Sequence, residues 1–124
     1  MSKIICDTVH CILAQEVETI DETGVPVLKK EKEWIKIKSY EKPVYRSTIK
    51  TSDAGPTNEE TVSVKIRHID IIKPIIEYCG FHFLLKLTSD EHVFYVGTLE
   101  YPASIELSSN KIFDDITFRA LSPA

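Results

Sequence analysis

Apolar and polar positions alternate along much of this chain, and the period is that of a strand. Thr61 to Arg67 sets Val62, Val64 and Ile66 against Ser63, Lys65 and Arg67, the period of two that a half-buried strand requires. Phe81, Phe83, Leu85 and Leu87 form one face of a second strand, with His82 and Lys86 on the other. Thr88-Ser89-Asp90-Glu91 reads as a tight turn and His92 to Thr98 as the partner strand. Ser104 to Leu107 predicts a short strand, Ser108-Ser109-Asn110 a turn, and Phe113 to Leu121 the last long strand. Upstream, Lys32 to Tyr40 turns Ile35 and Ile37 one way and Lys36 and Lys38 the other, alongside Trp34. Pro43 breaks that run, as expected of an edge strand, and Val44 to Thr51 is the next β-prone segment. Ile4 to Ala14 mixes the two periods and is assigned to an N-terminal strand.

The interruptions are as informative as the strands. Glu16 to Val27 is acidic, contains Gly24 and Pro26, and reads as a loop or a hairpin tip. Ser52 to Glu60 carries Gly55-Pro56 and nothing to bury, so it is expected to be a loop, mobile or ordered by a partner. One segment departs from the strand pattern. Asp70 can cap a helix, Pro74 fits a first turn and Gly80 can end it, so a short helix is expected near 70–79; the isoleucines allow a buried strand instead. Helices do not alternate with strands, which argues against a parallel sheet. The expected fold is mainly β (α+β): an antiparallel β-sandwich or partly rolled barrel with one short helix, in a single domain over 1–124.

Composition adds one asymmetry. The chain of 124 residues is 43% hydrophobic and 27% charged, with a net charge of −4. Lys29 to Lys50 holds eight basic residues against three acidic ones, a net +5 that leaves −9 on the remainder. Such a split points to electrostatic contacts between copies or with a polyanion, although a nucleic-acid protein is usually basic throughout. The three cysteines, Cys6, Cys11 and Cys79, suggest no disulfide framework. No signal peptide or membrane span is expected, because Asp7 interrupts the short apolar run Ile4-Ile5-Cys6. A reducing, cytoplasmic site of synthesis and no membrane partner follow as expectations.

Each chemistry the residues allow has a plain structural competitor. Cys6, His10, Cys11, Cys79 and His82 are metal-capable, but no Cys-x-x-Cys knuckle brings ligands together, and buried thiols with surface histidines are the simpler reading. Cys79 with His68, His82 or His92 lacks a glycine-rich turn for an oxyanion. Asp114-Asp115 and Asp90-Glu91 are sequence neighbours, so on a strand they point to opposite faces. The four glycines are too far apart for a phosphate loop. No enzyme, metal or cofactor is therefore expected. Trp34 and Tyr40 interleaved with Lys36, Lys38 and Lys42 could serve single-stranded nucleic acid, the alternative reading being a monomeric β-barrel binding module.

Three short motifs lie in residues 81–123: Tyr95-Val96-Gly97-Thr98, Tyr101-Pro102-Ala103, and the ending Phe118-Arg119-Ala120-Leu121-Ser122-Pro123. In these the chain resembles small virion structural proteins of phages and prophages of Bacteroides-type bacteria. Where that family has a glycine-rich turn before the last strand, this chain has Ser108-Ser109-Asn110-Lys111. The resemblance implies a non-enzymatic, ring-forming component of the tail or head-tail neck, of the tail tube, terminator or connector type. It implies a homo-oligomer assembled in the bacterial host cytoplasm and residing in the virion, with other tail or neck proteins as partners and DNA passing through the ring. Neighbouring subunits would extend each other's sheets, with loops or hairpins clasping the next ring. On the charge split, the expected subunit contact joins Trp34, Lys36, Lys38, Lys42 and Arg46 to the acidic Glu16, Glu18, Asp21 and Glu22 of a neighbour.

Overall fold

The strands sort into two sheets packed face to face, with a small third sheet laid on one of them. A computed structural model of the chain describes residues 2–53, 55–67, 81–109 and 111–123. In order these form β1 (Ser2–Ile5), β2 (Thr8–Leu13), a 3-10 turn (Ala14–Glu16), β3 (Val17–Ile20), β4 (Pro26–Leu28), β5 (Ile35–Ile37) and β6 (Val44–Ser52). There follow β7 (Gly55–Arg67), β8 (Phe83–Ser89), β9 (His92–Val96), β10 (Ser104–Ser109) and β11 (Phe113–Pro123). The first sheet has the order β1-β6-β7-β11-β10, the second β5-β2-β8-β9, and β3 pairs with β4 alone. Every pairing is antiparallel. Among the described residues there is no α-helix and no closed barrel; the short helix expected near 70–79 lies outside them.

The main core follows from the alternation. Val62, Val64 and Ile66 of β7 and Ile116, Phe118 and Ala120 of β11 meet Val9 and Cys11 of β2 and Phe83, Leu85 and Leu87 of β8. The Phe83 and Phe118 rings contact edge to face at 5.7 Å across the two sheets, a favourable aromatic geometry. Leu84 and Ile12 point to the opposite face of their sheet yet are fully buried, because the β3–β4 hairpin covers them with Val17, Ile20 and Leu28. Thus β8 reads as a nearly continuous apolar run: both of its faces are covered at that end.

Three chain crossings between the sheets fall among the described residues and fix corners of the sandwich. Residues 6–7 and 38–43 cross side by side, joined by the Cys6 N–H donating to the Pro43 carbonyl at 2.8 Å and by the Lys42–Asp7 ion pair at 3.2 Å. The other Asp7 oxygen accepts from the Asp90 N–H at 3.0 Å. Asp90 and Glu91 both have positive φ, 47° and 71°, as a two-residue turn matched to strand twist needs. The Asp90 N–H first, and Lys42 second, hold the Asp7 carboxyl below its usual pKa. The third crossing, 97–103, starts at Gly97 with φ +88°. A Cβ there would lie 3.2 Å from the Phe83 carbonyl oxygen and 3.3 Å from the Ala103 nitrogen, so only glycine fits without displacing backbone.

Several expected boundaries move. The N-terminal segment is two strands in different sheets, because the chain turns at Asp7. Lys32 to Tyr40 yields only Ile35–Ile37 as strand; beyond it the chain is already crossing, and the Tyr40 N–H caps the Lys65 carbonyl at 2.6 Å. Ser108 and Ser109 extend β10, paired with Asp115 and Asp114. Phe81 lies outside β8 and is exposed. The largest correction concerns Ser52 to Glu60. It is no loop: β7 begins at Gly55, which pairs with Ser52 and has φ +104°. Glycine there allows a tight hairpin, and main-chain pairing to β6 and β11 holds a polar stretch extended without a buried face.

Candidate functional site

The hairpin that replaces the expected loop forms a three-stranded tongue. Among the described residues β1 pairs with β6 up to Ser47, and β10 pairs with β11 up to Arg119. Beyond those points Thr48–Ser52, Gly55–Glu59 and Leu121–Pro123 continue as a narrow sheet, roughly 15 Å of strand. On β7 the buried side chains are confined to Val62, Val64 and Ile66, and no second sheet lies over the tongue among the described residues. Ile49 is 68% exposed and Leu121 50% exposed. The β11 edge is bordered by Tyr101, which shares a shallow groove with Pro56, Leu121 and Pro123. The β6 edge over Thr48–Ser52 is open among the described residues.

Charges line one face of the tongue in compensated order. Lys50 donates to Glu59 at 2.9 Å, Arg119 Nε lies 3.5 Å from the other Glu59 oxygen, and Arg119 Nη1 lies 3.4 Å from Glu106. The Lys50 hydrogen bond, and then the two positive charges, hold the Glu59 carboxyl below its usual pKa. On the opposite face Tyr45 donates to Glu60 at 2.6 Å and packs edge-on against Phe94; burial, and then Glu60, push its hydroxyl up to about 12.

The outer face of the second sheet is built differently. Its rows follow from the register: Trp34, Ile12 and Leu84 under the β3–β4 hairpin; then Lys36, His10, Lys86 and Tyr95; then Thr8, Thr88 and Val93. Three basic side chains therefore stand directly side by side, an arrangement that is destabilising when nothing offsets it. Burial, then Lys86, then Lys36 lower the His10 pKa, and its Nδ1 is buried without a hydrogen-bond partner. Trp34 and Tyr95 start from the regions of opposite edge strands, yet their rings meet at 6.0 Å, so they lie over the strands between.

Measured against known protein families, characterised proteins and solved structures, the chain matches none. Its candidate residues therefore stand on geometry. The basic run Lys36, Lys38, Lys42 and Arg46 is not one strand. Lys36 is on the second sheet, Lys42 is paired with Asp7 at a crossing, and Arg46 faces outward on the first sheet beside Lys3. Lys38 is exposed next to the crossing and has an interaction partner. Trp34 and Tyr40 do not share a face either: Trp34 meets Tyr95, whereas Tyr40 packs at a tilt against Phe113 at 4.8 Å under the Arg67 guanidinium. The nucleic-acid strip read from these residues is thus divided between two sides of the sandwich. Glu16 and Glu18 do lie on the same side as Trp34 and Lys36, in the 3-10 turn and β3.

The metal-capable residues also separate. Cys6 and Cys11 face the main core while His10 faces outward, and burial pushes the Cys11 thiol up to about 12. Cys79 lies outside the described residues, and His82 is exposed beside Tyr101 and Arg119. Asp114 is buried whereas Asp115 is exposed, the opposed pointing expected of strand neighbours. Sequence reasoning missed Lys86 and Tyr95 as companions of Lys36. Their polar alternation on β8 and β9 was visible, but the register that aligns them with His10 was not.

Proposed function

We propose that this chain is a non-enzymatic structural protein of a phage virion that assembles as a homo-oligomeric ring in the tail or head-tail neck. The observation that carries this reading is the tongue. A polar hairpin extends beyond the sandwich with an edge strand that is open among the described residues and with an exposed Ile49. Open, extended edges invite pairing with another chain unless a partner covers them, and head-to-tail contacts that close into a ring cover them all. The motifs in residues 81–123 support the same reading, and each has a place in the fold. Gly97 and Pro102 lie in the crossing over 97–103, and the Phe118–Pro123 ending runs from the core out to the tongue. In such a ring the neighbours would be further tail or neck proteins, with DNA passing through the opening.

Native mass measurement with negative-stain imaging tests this. Rings of one discrete multiple of the chain mass are expected. Ile49→Lys puts a charge beside the β6 edge and should abolish the rings while leaving the protein folded. A wild-type protein that stays monomeric at every concentration, or Ile49→Lys rings of undiminished size, would defeat the proposal.

A further inference from the structure

We propose that the outer face of the β5-β2-β8-β9 sheet is a second, self-complementary contact, in which the acidic β3–β4 hairpin of one copy seats on the Lys36–His10–Lys86 row of another. It goes beyond the ring reading and does not depend on the tongue. Three observations converge on it. The first is uncompensated positive charge. Neither Lys36 nor Lys86 has a carboxylate partner among the described residues, and both stand directly opposite His10. The second is uncompensated negative charge on the same face. Ala14 to Leu28 contains Glu16, Glu18, Asp21 and Glu22 and no basic residue. Glu18, Asp21 and Glu22 are exposed and form no ion pair among the described residues.

The third observation is shape. The hairpin stands as an extra layer over the Ile12–Leu84 end of the sheet, leaving as a lower step the Thr8–Thr88–Val93 row and the exposed Lys36 and half-buried Lys86 of the row in which Trp34 and Tyr95 meet. Val93 on that step is 49% exposed. Two copies turned face to face by a two-fold axis place each hairpin on the other's step, so both acid–base contacts form at once. The tip is stiff enough to present its charges. Asp21 accepts from the Thr23 hydroxyl at 2.7 Å and from the Thr23 and Val25 N–H groups at 2.9 Å each, and the Thr23 hydroxyl and these N–H groups hold the Asp21 carboxyl below its usual pKa. A nucleic acid is the less favoured occupant. Trp34 and Tyr95 are engaged with each other and not presented for base stacking.

Charge exchange separates the outcomes. In the Ile49→Lys background, so that tongue pairing does not enter, one variant carries Lys36→Glu with Lys86→Glu and another Glu18→Lys with Glu22→Lys; Asp21 is kept because it holds the turn. Sedimentation should show that the unexchanged protein dimerises and that about 0.5 M salt weakens the dimer roughly tenfold or more. Each exchanged variant alone should be monomeric, and an equimolar mixture should recover the dimer, since both contacts are restored with signs inverted. Melting curves matched to the unexchanged protein show that the variants are folded, and Lys36→Gln with Lys86→Gln provides a milder version. A mixture that fails to dimerise overturns the inference. So does an unexchanged protein that stays monomeric but binds a single-stranded oligonucleotide through the two lysines. Rings from the wild type in the face of either result would leave the tongue reading intact.

Discussion

The two halves of β7 are one continuous strand in two different surroundings. From Thr61 to Ile66 it alternates buried Val62, Val64 and Ile66 with polar residues, under the second sheet. From Gly55 to Glu60 it keeps its partners on both sides, β6 and β11, but among the described residues none of its side chains is fully buried. The comparison separates two ways of making a strand. In the body, apolar burial supplies the driving force, at roughly 25 cal/mol per Å² removed from water. In the tongue, the main-chain ladder and a few surface ion pairs stand out among the described residues, and these are individually weak. The body is therefore where folding stability resides, and the tongue is where a strand can exchange partners at little cost to the fold.

The sharpest way to break this contrast is to remove one large side chain from each region. Phe118 is fully buried against Phe83, so Phe118→Ala should cost about 3–5 kcal/mol in urea unfolding. Ile49 is 68% exposed, and Ile49→Ala should cost less than about 0.5 kcal/mol in the monomer. Similar losses at the two positions would mean that the tongue belongs to the core.

Glycine gives a second, smaller comparison. Gly97→Ala in the body meets both a positive φ and fixed backbone, because Phe83 and Ala103 are locked by a reciprocal pair of 2.8 Å hydrogen bonds. A loss of about 2–3 kcal/mol is expected. Gly55→Ala at the tongue meets the same unfavourable φ but open space, so it should cost about 1 kcal/mol. Equal effects in thermal unfolding would show that the close approach at Gly97 is not what demands glycine there.

What the residues disclosed in advance divides along the same line. Val62, Val64, Ile66, Leu85 and Leu87 declare their burial because each alternates with a polar neighbour. The tongue was hidden because Gly55-Pro56 and a polar run carry the composition of a loop, and its extension is imposed by pairing partners distant in the chain. Leu84 and Ile12 were legible as apolar but not as a second core, since the covering hairpin could be read only as a loop or a hairpin tip. The basic run misled for a related reason. Lys36 and Arg46 are close in sequence, but the chain changes sheets between them, whereas Lys86 comes from fifty residues away to stand beside His10. Charge content is written in the sequence; which charges become neighbours is decided by register.

The smallest effect concerns the ion chain on the tongue. Glu59 touches Lys50 at 2.9 Å and lies 3.5 Å from Arg119. Pairs of this kind contribute about 0.2–1 kcal/mol, so Glu59→Gln should lower neutral-pH stability by no more than that. The sign with pH is fixed by the direction of the shift. The folded-state pKa lies below the ordinary carboxyl value of 4.5, chiefly through the Lys50 hydrogen bond. The contribution is thus complete above the unfolded pKa and disappears as pH falls through the folded one. Melting temperatures of wild type and Glu59→Gln should differ slightly at about pH 7 and converge by about pH 2–3, while the gap between wild type and Phe118→Ala persists wherever both fold. A Glu59 gap that survived acid would mean that shape and not charge holds the tongue together. The two halves of β7 would then be more alike than their burial implies.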